Sequence, residues 1–298
     1  MKKHFISVII SLQFLFVACN NNLKPNYIDE DGVRIYNDIN YGTSDAQKLD
    51  IAFPLEPQST VGYGSCILFI HGGGWSSGDK SSYDGAIRNA SKISSLVSAT
   101  MNYRMFGDNA DCQDMLDDIY AAISKIKDFA SEENIQLKKI ILMGASAGGH
   151  LSLLYSYKYY SSSPIPVVLC VSQCGPTDFL DESYLSMHSS SYIQSCLSYL
   201  LGFEITIDDI YSYENEIKSI SPAYYVKQNI PPTLLAYGSL DDIVPITNAT
   251  ILYEMLIENE IDSQLFIYEN SGHGLDNDSE TDKQFFDTLF NYVIKYCL

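Results

Sequence analysis

One stretch, Lys139 to Leu151, constrains this chain more than any other. Lys139-Ile140-Ile141-Leu142-Met143 is a run of branched apolar residues that breaks at Gly144-Ala145-Ser146-Ala147-Gly148, after which leucines return at helical spacing. The run reads as a buried parallel strand and the continuation as a helix, joined by a sharp turn. A serine held in such a turn needs small neighbours, because a side chain at Gly144 or Gly148 would collide with the adjoining strand or helix. The turn lifts the Ser146 hydroxyl clear of the sheet, and the Ala147 N–H at the helix start faces any oxygen that develops charge there. This is the pattern of a nucleophile elbow.

A second stretch supports the same chemistry. Ser65-Cys66-Ile67-Leu68-Phe69-Ile70 reads as a buried strand and runs into His71-Gly72-Gly73-Gly74-Trp75. Consecutive glycines after a core strand let the backbone turn its N–H groups inward, so Gly73 and Gly74 join Ala147 as candidate oxyanion donors. His71 reads as orienting this loop by hydrogen bonding. Trp75, the single tryptophan, either lines a substrate pocket or packs beneath the loop.

A carboxylate and an imidazole must come from later strand ends. The strand at 232–238 leads to Ser239-Leu240-Asp241-Asp242-Ile243-Val244-Pro245, where Asp241 and Asp242 compete for the acid role, with Asp178 after the strand at 166–172 as a weaker third. Of the five histidines, His4 lies in the N-terminal leader, His71 and His150 flank the loop and the elbow, and His188 reads as a surface residue. His273, in Asn270-Ser271-Gly272-His273-Gly274, follows both serine and acid on a strand-end loop.

The remaining elements fit one large α/β domain. A hairpin at 33–41 and 47–53 opens the sheet. Helices are expected at 83–94, 111–129 and 246–258 and strands at 96–101 and 264–268, an alternation that a parallel doubly wound sheet requires. Met115, Ile119, Ile123 and Ile126 form the apolar side of the second helix; Asp114, Asp117 and Asp118 read as mostly solvated, one of them pairing with Arg104. A C-terminal helix is expected to pack Phe285, Phe286, Leu289, Phe290, Val293 and Ile294 on the sheet. The Ser- and Tyr-rich stretch at about 176–230 reads as a cap that chooses the substrate. Tyr155, Tyr157, Tyr159 and Tyr160 read as mostly half-buried rings.

With 18 basic against 37 acidic residues and a formal charge of −19, the chain repels nucleic acid and anionic lipid, and neutral substrates suit it better. Met1-Lys2-Lys3 and the short apolar run 5–17 form a secretory leader that ends in Phe16-Val17-Ala18-Cys19. That ending resembles a bacterial lipobox and implies a lipid on Cys19. The expected organisation is a signal peptide at 1–18, a polar tether at 19–30 and a catalytic domain at 31–298, in the bacterial envelope on the outer-membrane or periplasmic side. Membrane contact is then through the lipid alone. Cys66 and Cys170 read as buried apolar residues; Cys112, Cys174, Cys196 and Cys297 are candidates for disulfides without fixed connectivity. No Cys or His cluster has metal-site spacing.

Together these residues resemble the α/β-hydrolase superfamily, and within it the hormone-sensitive-lipase-like esterases that carry His-Gly-Gly-Gly before the elbow. The resemblance runs from about residue 33 to the end, apart from the 176–230 insertion. It implies a mostly parallel doubly wound sheet with helices on both faces and a cap. In that family the acid lies three residues before a Val-Pro pair, so Val244-Pro245 selects Asp241. Trp75 and Gly78-Asp79-Lys80 are similar to those of bacterial carbohydrate esterases of the acetyl xylan and feruloyl type, and of kynurenine formamidases. The resemblance implies a cofactor-free serine hydrolase of short-chain or carbohydrate-linked esters, with Ser146, His273 and Asp241 as triad. A prolyl-oligopeptidase-type peptidase, a formamidase and an inactive surface binding module are the alternatives.

Overall fold

The computed structural model describes residues 27–30, 32–55 and 64–297. The sheet starts with β1 (Tyr27–Glu30), inside the stretch expected to be tether, and continues through β2 (Val33–Asn40) and β3 (Lys48–Pro54). Then strands and helices alternate: β4 (Ser65–Ile70), α1 (Asp84–Ser94), β5 (Val97–Met101), α2 (Cys112–Glu132), β6 (Lys139–Ala145), α3 (Ala147–Tyr159) and β7 (Val167–Gln173). Three short helices follow, α4 (Glu182–Met187), α5 (Ser190–Leu201) and α6 (Glu214–Ser219), in the expected cap region. The chain closes with β8 (Thr233–Gly238), α7 (Ile246–Glu258), β9 (Ser263–Tyr268) and α8 (Ser279–Cys297).

The nine strands lie in the order β1-β2-β3-β5-β4-β6-β7-β8-β9. The first three and β5 pair antiparallel, and every pair from β5–β4 to β8–β9 is parallel. Parallel strands need both faces covered, and alternate side chains show how this is met. Ile140 and Leu142 of β6 join the core under α2 and α3, whereas Ile141 and Met143 join the core under α1 and α8. Every residue of β4 and β8 is buried.

Four expectations change. Tyr155 and Tyr157 are fully buried, since α3 is covered on all sides; their hydroxyls reach Ser163 Oγ at 3.1 Å and Thr233 Oγ1 at 3.0 Å. Asp118 is the carboxylate that pairs with Arg104, as expected of one of the three, but it is buried: it accepts Nε and Nη2 of Arg104 at 3.0 and 2.8 Å and takes Gln47 Nε2 at 2.7 Å. Phe285 and Val293 of α8 pack inward, but Phe286 and Phe290 are exposed. Cys112, Cys174, Cys196 and Cys297 are free buried thiols like Cys66 and Cys170, with no disulfide among the described residues.

Candidate active site

Parallel strands put their carboxyl ends on one edge, and the candidate residues leave the sheet there from β4, β6, β8 and β9. Ser146 sits between β6 and α3 at φ 54° and ψ −124°, the strained backbone expected of an elbow. Its N–H donates to Gln173 O at 2.7 Å, and its carbonyl accepts from His150 N–H at 3.0 Å. The glycines are needed for contact: a Cβ at Gly148 would lie 1.9 Å from Ile70 O, and one at Gly144 would lie 2.3 Å from Gly148 O. Ala147 opens α3, so its N–H has no acceptor one turn back and remains available to a ligand.

The glycine loop runs directly beside the serine, since a Cβ at Gly72 would be 3.2 Å from Ser146 Cβ. His71 Nδ1 donates to Gly72 O at 2.7 Å. Because N–H and C=O point oppositely across a trans peptide, this bond turns the Gly73 N–H away from His71. Gly73 O in turn accepts Ser77 N–H at 3.0 Å and Ser77 Oγ at 2.9 Å, which fixes the Gly74 N–H the same way. Gly73 and Gly74 have φ of 112° and 59°, conformations that suit glycine. Burial holds the His71 imidazole below its ordinary value, and its ring stacks on Tyr103 with centroids 4.5 Å apart.

Trp75 takes the packing role of its two readings. Only 3% exposed, it donates Nε1–H to His150 Nδ1 at 3.2 Å and lies against Phe179, so its ring does not line an open pocket. His150 is fully buried and donates Nε2–H to Ile220 O at 2.7 Å; burial brings it down to about 4, which keeps it neutral. It thereby ties the elbow helix to the glycine loop and to the cap. No local sequence signal marks this role, which depends on a carbonyl 70 residues away.

After β8, Asp241 carries a side chain with no exposed surface. Its Oδ1 accepts the N–H of Ile243 at 2.8 Å and of Val244 at 3.0 Å, and its Oδ2 accepts His273 Nδ1 at 2.8 Å. Burial alone would raise this carboxyl, but the His273 and backbone hydrogen bonds together hold it below the ordinary carboxylate range. The bond to the Val244 backbone N–H accounts for the three-residue spacing between the acid and Val244. Asp242 is exposed. Asp178 lies elsewhere, accepting Leu180 N–H at 2.9 Å and the Tyr224 hydroxyl at 3.2 Å. His188 bonds Ile243 O at 2.8 Å from the cap side.

The structure thus joins Asp241 to His273 directly and sets Ser146 at the same carboxyl edge of the sheet, two strands from Asp241, with no Ser146–His273 hydrogen bond formed. Such bonds are often long before substrate binds. Cys174, expected as a disulfide candidate, packs behind the acid: its sulfur lies within 4.8 Å of the Asp241 and His273 ligand atoms. Burial, with Asp241 beside it, pushes this thiol up. The Asp241–His273 hydrogen bond engages Oδ2 and Nδ1 of this group with each other.

A family model described as BD-FAE matches residues 49–256. The acylamino-acid-releasing enzyme of Rattus norvegicus is 30% identical over 56% of this chain and 21% of its own length. Endo-1,4-beta-xylanase B of Butyrivibrio fibrisolvens is 27% identical over 70% of this chain and 32% of its own. The chain therefore spans between a fifth and a third of these relatives. Among solved structures, a truncated form of a carbohydrate esterase from gut microbiota superposes with a TM-score of 0.74 at 21% identity, covering 91% of this chain and 99% of that one. At that identity the likeness establishes the fold.

Proposed function

The chain belongs to the BD-FAE family of the α/β-hydrolase fold, and from that premise we propose that it is a serine hydrolase of carboxylic esters with short acyl groups or carbohydrate alcohols. The observation that carries this reading is the pairing of His273 Nδ1 with a buried, backbone-held Asp241, on the sheet edge where Ser146 occupies a strained turn. In the proposed cycle Ser146 Oγ attacks the acyl carbon while its proton passes to His273 Nε2. Asp241 fixes the imidazole tautomer and stabilises the imidazolium. The tetrahedral oxygen accepts the N–H groups of Gly73, Gly74 and Ala147, each worth about 3 to 4 kcal/mol to the transition state. His273 then protonates the leaving alcohol, and water, deprotonated by the same imidazole, releases the acid.

The reading includes a lipid-anchored envelope location through Cys19, a residue outside the described ones. The similarity to an acylamino-acid-releasing enzyme favours a peptidase as the second reading. A panel of 4-nitrophenyl acetate, acetylated xylo-oligosaccharide, a feruloyl ester, an acylated peptide and a formamide separates them. Ester turnover that disappears in Ser146→Ala is expected; turnover of the peptide or formamide without any ester would overturn the proposal.

A further inference from the structure

Beside the glycine loop lies a solvent-open cleft of about 630 Å³ that the proposed chemistry does not use. It opens between the turn after β5 and the end of α5. Phe106 and Phe203, 58% and 44% exposed, form its apolar surfaces, and the exposed Asn109 and Glu204 also line it. Phe106 is braced edge-on by Tyr199 with centroids 4.3 Å apart. The Tyr199 hydroxyl and the Phe106 N–H both donate to Trp75 O, at 2.9 and 3.1 Å, so the cleft is anchored to the residue that follows Gly74.

We propose that this cleft is a glycan subsite that holds a neutral pyranose chain against the turn that follows the glycine loop. A pyranose presents apolar C–H faces and a rim of hydroxyls that donate and accept. Exposed rings together with an amide and a carboxylate match both features, whereas an acyl chain would engage the rings alone. Charge decides between neutral and ionic chains. A net −19 and Glu204 in the cleft disfavour uronates. The same carboxylate and net charge would attract a basic peptide, for which hexalysine serves as the control. Catalytic use of the subsite rests on the ester-hydrolase reading; glycan binding does not.

The test uses the full chain carrying Ser146→Ala, titrated calorimetrically with xylohexaose, mannohexaose, cellohexaose, hexagalacturonate and hexalysine. At least one neutral hexaose is expected to bind with a Kd below about 10 mM, weakened about tenfold or more by Phe106→Ala with Phe203→Ala, while the charged oligomers do not compete. In the Ser146 background the same pair of substitutions raises KM for an acetylated oligosaccharide and leaves kcat/KM for 4-nitrophenyl acetate within about twofold. Binding of no neutral hexaose, binding undiminished in the double variant, or preferential binding of hexalysine would each overturn the subsite, whether or not the chain hydrolyses esters. Loss of ester turnover with glycan binding intact would instead strike the catalytic reading alone.

Discussion

Asp241 and His273 meet at 2.8 Å through Oδ2 and Nδ1, while the other oxygen of the same carboxylate is clasped by two backbone N–H groups. This leaves the acid a single orientation. Asp241→Asn keeps the shape but presents an amide that can donate to the ring and stabilise the wrong tautomer, so kcat is expected to fall by a factor on the order of 10³ or more. Asp242, exposed on the same loop, should tolerate Asn with less than about a threefold change. A larger loss at Asp242 than at Asp241 in ester turnover would refute the assignment.

His71 acts through the loop it holds. Without its bond to Gly72 O the first peptide of the oxyanion turn is released, so His71→Ala should lower kcat about a hundredfold with little change in KM. Steady-state kinetics on 4-nitrophenyl acetate separate this from a binding defect, which would appear in KM.

The buried His150 makes stability depend on pH. Unfolded, it takes up a proton below about pH 6.5; folded, only below about 4, so between these values the unfolded state binds more protons and stability falls as pH falls. The full effect is about 3 kcal/mol, present above pH 6.5 and lost towards pH 4. His71, lowered by burial too, acts in the same direction. Urea unfolding at several pH values in this window should show a shallower decline for His150→Gln; an unchanged slope would show that His150 is not the group responsible.

Lipidation of Cys19 is read from the leader alone. Expressed with its leader in a bacterial host, wild type should sediment with membranes and carry acyl mass on its N-terminal peptide, and Cys19→Ala should do neither. A fully soluble wild type with an unmodified N-terminus contradicts the reading.

The alternating core elements were legible because each carries its own periodicity: the helix at Ile246–Glu258 has its expected bounds, and the elbow announces itself in Gly144 to Gly148. Asp241 was legible through Val244-Pro245 by resemblance, and the structure supplies a cause for the spacing in the Val244 N–H. What escaped depends on distant partners. Asp118 is buried because Gln47, 71 residues earlier, and Arg104 complete its hydrogen bonds. Trp75 turns inward because His150 offers it an acceptor. Cys174 lies against Asp241 only because β7 and β8 are neighbours in the sheet. β1 hides in a polar stretch whose pairing with β2 no alternation reveals.

The central claim is that Ser146 is a nucleophile activated by His273. Intact-mass and peptide mapping after exposure to a fluorophosphonate test it most directly, because the reagent reacts with an activated serine and ignores an ordinary one. One adduct per chain is expected, on Ser146, absent in Ser146→Ala and formed at least a hundredfold more slowly in His273→Gln. Wild-type protein that stays unlabelled while folded, or labelling that survives Ser146→Ala, would contradict the account.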